Sequence, residues 1–73
     1  MPYIMEVQTG PEYTPWSRNA CVYATEAEAL EAGKELMSRW MLVTAYRATE
    51  VDEPVNYRFD FEAWKPVRLP DAE

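Results

Sequence analysis

Few residues of the types that usually perform catalysis occur in this chain. Its 73 residues include one cysteine, Cys21, and no histidine. Histidine is the most common general base in enzymes, and the Cys–His and Ser–His nucleophile pairs both require it. Cys21 lies between Ala20 and Val22 in a short apolar segment, where a cysteine is usually a small buried hydrophobic residue. We therefore expect a protein that is not an enzyme.

Two groups of carboxylates could in principle bind a metal, because magnesium and calcium prefer oxygen ligands. Glu50, Asp52 and Glu53 form one group, but no glycine shapes a calcium-binding loop there, and a solvated turn fits better. The second group fits the capped start and solvated face of a helix: Glu26, Glu28, Glu31 and Glu35. The two glycines of the chain form no phosphate-binding pattern. We expect no metal and no cofactor.

Aromatic residues outside the regular patterns are the best candidates for binding. The chain has three Trp, five Tyr and two Phe. Trp16 lies in a loop that contains proline, and Trp64 follows the last predicted strand; an aromatic at such a place either covers the core or anchors a partner. Trp, Tyr and Arg often dominate binding energy. The candidate partner-binding residues are Tyr13, Trp16, Arg18, Trp64 and Arg68.

The net charge of −6 disfavours direct binding to nucleic acid or to an anionic membrane, because both require a basic surface. No segment approaches the roughly 18 apolar residues that a membrane span requires. The first residues, MPYIME, lack the basic region of a signal peptide. A lone thiol fits a reducing compartment, so we expect a cytoplasmic protein with no membrane association.

Alternation of apolar and polar residues predicts a strand over 3–8 and, most clearly, over 55–61. Shorter strands are predicted over 21–24, as the hairpin partner of the first strand, and over 45–51. Tyr57, Phe59 and Phe61 are expected in the core. The segment 12–19 between the first two strands is expected to be a loop.

One helix is predicted over about 26–42, with Thr25 as N-cap and Glu28 completing a capping box. Gly33 lies within the apolar stripe, which close approach of the helix to a sheet would explain. The residues of the stripe are Ala29, Leu30, Gly33, Leu36, Met37, Trp40 and Met41.

The element order is strand-strand-helix-strand-strand, which predicts an α+β fold with a single helix packed on a small, mostly antiparallel sheet. Residues 1–65 are expected to form one domain, and residues 66–73, with two prolines, an extended and partly frayed tail. So small a core often needs a partner subunit. We therefore expect a homodimer, joined by a strand edge or by aromatic residues of the sheet.

The segments NACVYATEAEA (19–29), LMSRWMLV (36–43) and DEPVNY (52–57) resemble a group of short hypothetical proteins from phages, prophages and bacterial genomes. The resemblance covers most of residues 3–60. The group has no assigned activity, so the resemblance implies no catalytic or binding residue. It implies an accessory protein of phage type, a class in which some small acidic members inhibit host defence.

These observations favour a non-catalytic protein-interaction module that inhibits or regulates a larger protein. The alternative is an acidic mimic of nucleic acid that occupies a basic cleft, as a host-defence inhibitor such as an anti-CRISPR would. Mimicry requires acidic residues clustered on one face, whereas seven basic residues are spread through this chain. The charge pattern therefore favours the interaction module.

Overall fold

The computed structural model describes residues 1–11 and 14–70. This part of the chain contains one helix and five strands, in an α+β arrangement that confirms the predicted fold class and element order and adds a fifth strand at the end. A three-stranded antiparallel sheet has the order β2-β1-β3, and β4 and β5 form an antiparallel hairpin. The elements are β1 (Tyr3–Gln8), β2 (Ser17–Tyr23), α1 (Glu26–Arg39), β3 (Ala45–Glu50), β4 (Tyr57–Asp60) and β5 (Lys65–Arg68).

The helix begins where the sequence predicts but ends earlier, at Arg39. Trp40 is extended, with φ of −127°, and its N–H closes the last turn on the carbonyl of Leu36. The chain then turns, and the N–H of Val43 donates to the carbonyl of Trp40. Val43 enters the core in place of Met41, so the expected burial of Trp40 and Met41 is wrong; Met41 is 96% exposed.

The strand boundaries also differ from those predicted. β2 begins at Ser17, so the last part of the expected loop is strand. β4 ends at Asp60, and Phe61 lies in the hairpin turn, where it is 56% exposed and not buried as expected. Phe61 still packs its ring edge-on against the buried Phe59, with 5.3 Å between the ring centres.

The expected tail is partly a strand. Residues 66–68 belong to β5, which pairs with β4, and the N–H of Leu69 donates to the carbonyl of Asn56. Pro66 is compatible with β5 because this strand lies at a sheet edge, where a missing N–H can face solvent. The packed part of the chain therefore continues beyond residue 65, and residues 71–73 lie outside the described residues.

The helix starts at a capping interaction that the sequence predicts. The N–H of Glu28 donates to the hydroxyl oxygen of Thr25 at 3.2 Å, and that hydroxyl donates to Oε1 of Glu28 at 2.9 Å. The second carboxylate oxygen, Oε2, accepts the backbone N–H of Phe59 at 3.0 Å. Glu28 thus joins the first turn of the helix to β4.

The hairpin is also joined to the edge of β2, by Asn56. Its Oδ1 accepts the N–H of Val22 at 2.7 Å, and its own N–H donates to the carbonyl of Val22 at 3.1 Å. Its Nδ2 donates to the carbonyl of Ala20 at 2.9 Å. One side chain therefore satisfies backbone groups that β2 would otherwise leave unpaired.

The main core lies between α1 and one face of the three-stranded sheet, while Ile4 and Val22 are buried on the opposite face. The helix contributes small residues, of which Ala29 and Ala32 are buried. At Gly33 an added Cβ would lie 2.7 Å from Cδ2 and 2.8 Å from Cβ of Tyr46 on β3. The predicted close approach of the helix to the sheet is confirmed, because the helix backbone rests on the Tyr46 ring. The buried cluster is Met5, Val7, Cys21, Tyr23, Ala29, Ala32, Val43 and Phe59.

We predict that Gly33→Ala destabilises the domain by about 1–3 kcal/mol, because the added methyl group overpacks against Tyr46. This cost opposes the gain of about 1 kcal/mol that alanine normally brings to a helix interior. Chemical denaturation would measure the net change. In a Tyr46→Gly background, which removes both the ring and the Cβ of residue 46, the same substitution should be neutral or stabilising, and a higher stability of Gly33→Ala alone would contradict the close contact.

Candidate protein-interaction site

The face of the three-stranded sheet that points away from α1 carries a row of charged side chains. Side chains alternate along a strand, so Glu6 and Arg47 point away from the helix while their neighbours Met5 and Tyr46 point towards the core. Arg18 of β2 and Arg47 of β3 both lie opposite Glu6 of β1. We call this surface the outer face.

Glu6 is the centre of the row. Its Oε1 accepts hydrogen bonds from Oγ1 of Thr49 at 2.6 Å and from Nε of Arg47 at 2.9 Å. The hydrogen bond from Thr49 is the main reason that the pKa of Glu6 lies below its ordinary value; Arg47 and Arg18 lower this pKa further, and burial opposes them. Glu6 is therefore an ionised group that fixes the position of the Arg47 side chain.

Trp16 holds the other side of Arg47. The guanidinium carbon lies 4.1 Å from the centre of the Trp16 ring, within the range of a cation–π interaction. About half of the Arg47 side chain, 49%, is exposed. Within residues 1–11 and 14–70, only its Nε donates a hydrogen bond, so both Nη groups are available. Arg47 is thus held in place on two sides while its donor fork faces solvent.

Arg18, one of the candidates from the sequence, is engaged within the protein. Its Nη1 and Nη2 donate to the two carboxylate oxygens of Glu53 at 2.8 and 3.1 Å, and its Nε donates to the carbonyl of Asn19 at 3.0 Å. The hydrogen bond to Glu53 raises the pKa of Arg18 and lowers the pKa of Glu53. All three nitrogens have partners, so Arg18 links β2 to the segment between β3 and β4.

Trp64 lies on the helix side of the molecule, in the turn between β4 and β5. Its Nε1 donates to Oε2 of Glu31 at 2.7 Å. Its φ of 56° is in the left-handed region, which a bulky residue rarely adopts. Asp60 shapes the same turn by accepting the N–H groups of Glu62 and Ala63, which lowers the pKa of Asp60. Trp64 is 37% exposed.

The candidate residues from the sequence therefore do not form one site. Trp16 lies at the outer face and Trp64 on the helix side, while Arg68 lies opposite Tyr57, at the end of β5 away from the turn. Tyr13 lies outside the described residues. The residue that completes the outer-face site is Arg47, and the alternation of Tyr46, Arg47 and Ala48 in β3 was the signal that could have placed it there.

The comparisons give no relative. Protein-family models, curated proteins and solved structures were compared with the chain, and none matches.

The core contains two buried polar groups, the Cys21 thiol and the Tyr23 hydroxyl. Burial raises the pKa of the Cys21 thiol and that of the Tyr23 hydroxyl. Tyr23 is fully buried, and its hydroxyl lies beside the Cys21 thiol, so each group influences the pKa of the other. In the same part of the chain, His, Cys, Asp and Glu side chains form no group of three that could hold a metal ion, and no helix is long and apolar enough to cross a membrane.

We predict that Glu6→Gln weakens the acid dependence of stability. The folded-state pKa of Glu6 lies below its ordinary value of 4.5, so its ionised form contributes stability that is present above pH 4.5 and is lost as the pH falls through the folded pKa. Denaturation midpoints measured below pH 4.5 should fall less steeply in the variant. Thr49→Val should act in the same direction, because it removes the largest cause of the shift. If the stability of both variants fell with acid as steeply as that of the wild type, the attribution of this acid dependence to Glu6 would be contradicted.

We predict that Trp64→Gly is more stable than Trp64→Ala by about 1 kcal/mol. Both variants lose the indole ring and its hydrogen bond to Glu31, but only alanine keeps a Cβ at the left-handed φ. Thermal denaturation of the two variants measures the free-energy cost of a Cβ at the left-handed φ of residue 64. Equal stability of the two would show that the turn relaxes to another conformation.

Proposed function

We propose that this chain is a small, non-catalytic protein-interaction module that binds a protein partner at the outer face through Arg47 and Trp16. The observation that carries the proposal is the arrangement of Arg47. Its guanidinium is stacked on Trp16 and bonded to Glu6, yet its two Nη groups have no acceptor in the described residues. Such an arginine is arranged before binding, which lowers the entropy lost on association.

The chemistry of the site favours a partner that presents a carboxylate. The planar fork of arginine matches a carboxylate with two parallel hydrogen bonds, which a lysine cannot reproduce. Trp16 is partly exposed and can pack against an apolar group beside that carboxylate. Trp and Arg are also the residues that most often dominate interface energies. An Asp, a Glu or a C-terminal carboxylate of the partner fits this pair.

The absence of catalysis is supported by residue types and by burial. The sequence has no histidine, and its only thiol is buried with a raised pKa, which is the opposite of an activated nucleophile. We place the module in the cytoplasm, where a lone thiol stays reduced. Inhibition or regulation of a larger protein, as an accessory protein of phage type would perform, is the role that suits a module of this size.

The use of the helix glutamates argues against the alternative, mimicry of nucleic acid. Glu28 binds the N–H of Phe59, Glu31 binds the indole of Trp64, and Glu35 forms an ion pair with Arg39 at 2.6 Å. Because these carboxylates make contacts within the protein, their positions are determined by the fold and not by the phosphate spacing of a nucleic acid. The outer-face row itself balances two arginines, Arg18 and Arg47, against two glutamates, so it is not an acidic surface.

We predict that Arg47→Lys weakens partner binding about tenfold or more, because a lysine keeps the charge but loses the fork and the stacking. Trp16→Ala should weaken binding by at least about 1 kcal/mol while the fold persists. The measurement is purification of the tagged wild type from its native host, followed by calorimetry of the identified partner against each variant.

Arg58→Lys is the matched control, because Arg58 is an exposed arginine of β4 away from the outer-face row. The control should bind as the wild type does. A partner that binds Arg47→Lys with full affinity, and whose binding falls steeply with salt, would contradict the proposal and support mimicry. A Trp16→Ala variant that unfolds would identify Trp16 as a cover of the core, and Arg47→Lys would then decide.

A further inference from the structure

β3 has a free edge. It pairs with β1 on one side and contacts α1 on its face, and no other element of the described chain reaches it. The other edges are protected: β5 carries Lys65 and Pro66, and Asn56 covers β2. β3 contains no lysine, proline or glycine, and its arginine bends back over β1 to Glu6. An unprotected edge of this length is a template for another strand.

The hydrogen-bond pattern shows which backbone groups lie on the free edge. The N–H of Val51 donates to the carbonyl of Pro2 at 3.0 Å, in register with the pairing of β3 and β1. Hydrogen-bonding positions alternate along an antiparallel strand. The N–H and C=O groups of Tyr46, Ala48 and Glu50 therefore point outward, away from β1.

We propose that the chain forms a homodimer in which β3 pairs antiparallel with β3 of a second copy, about a two-fold axis at Ala48. In this register Tyr46 lies opposite Glu50 of the other copy, and Ala48 lies opposite itself. All outward groups are then paired, in about six hydrogen bonds. The register also keeps both helices on the same face of the joined sheet, whereas a shift of one residue would bring the helix face against the outer face.

The helix flank that faces away from the hairpin also favours a second copy of the chain as the partner. Glu28 and Glu31 face the β4–β5 hairpin, and Gly33 lies over Tyr46 of β3. With 3.6 residues per turn, Leu30 and Met37 lie beside Gly33 on the flank away from the hairpin. Leu30 is 38% exposed although the sequence pattern places it on the buried stripe. The exposed Leu30, with the partly buried Met37 beside it, thus continues the free edge of β3, and a second copy would cover both.

The charges on this flank are complementary across the two-fold axis. The short connection from Arg39 to Ala45 requires α1 to run antiparallel to β3. Ala48 lies about 6.6 Å further along β3 than Tyr46. On the antiparallel helix this distance corresponds to four or five residues from Gly33 towards the N-terminus. The axis therefore passes within about two residues of Leu30, and Glu26 lies about 4 Å along the helix from Lys34 of the second copy, twice per dimer, an offset that the long lysine side chain can span. This charge match favours a second copy of the chain over an unrelated strand.

Sedimentation and amide hydrogen exchange of the full chain test the homodimer. We expect a dimer mass that converts to a monomer mass on dilution from millimolar to micromolar concentration. The hydrogen-exchange rates of the Tyr46, Ala48 and Glu50 amides should rise at least tenfold as the dimer dissociates. Amides of Arg47 and Thr49, which bond to β1, should stay protected, and this alternation identifies β3 as the interface.

Leu30→Glu should give a monomer at concentrations at which the wild type is a dimer, since it places two carboxylates at the axis. Phe61→Glu is the matched control: it makes the same change at an exposed apolar residue on the hairpin side, and it should remain a dimer. Circular dichroism would verify that both variants fold. A monomer mass for the wild type at every concentration overturns the proposal, as does a dimer in which the three outward amides exchange rapidly or Leu30→Glu still associates.

Discussion

The contact between Gly33 and Tyr46 determines how the rest of the molecule is arranged. Because a Cβ at Gly33 would lie within 2.7 Å of the Tyr46 ring, the helix approaches β3 more closely than a side chain would allow. The rotation of the helix is then fixed, with Glu28 and Glu31 towards the β4–β5 hairpin and Leu30 towards the free edge of β3. One glycine thereby decides which helix flank makes internal contacts and which is left exposed.

The β4–β5 hairpin is attached to the rest of the fold by polar contacts as well as by hydrophobic packing. A two-stranded hairpin is marginally stable by itself. Phe59 is its one residue in the buried cluster, and Tyr57 packs against that cluster; hydrogen bonds through Asn56, Glu28 and Trp64 add further links. A few side chains thus attach the last two strands to the rest of the fold. The hairpin is the part of the fold with the least buried apolar support, so it should open before the three-stranded sheet does.

The features that the sequence predicted are those that neighbouring residues determine. The capping pair Thr25 and Glu28 lies within one turn, strand alternation in β1 is local, and Gly33 has few roles in an apolar stripe other than close packing. The features that were missed depend on distant residues. In the sequence, Arg18 lies in an expected loop and is a candidate for binding a partner. In the fold it is bonded to Glu53, which lies 35 residues away, so the sequence near Arg18 does not reveal this contact. Nothing local marks Pro66 as part of a strand, because β5 exists only by pairing with β4.

The two proposed interfaces are compatible because partner binding would use the outer face of β3, whereas dimerisation would use its backbone edge. Arg47 belongs to β3, but its side chain bends over β1 to reach Glu6 and Trp16 and leaves the backbone edge uncovered. A two-fold axis perpendicular to the joined sheet places both outer faces on one side. The dimer would then present two Arg47–Trp16 pairs in the same direction, across a six-stranded sheet. A partner that is itself a dimer could engage both, and the second contact would form at a high effective concentration without any new interaction.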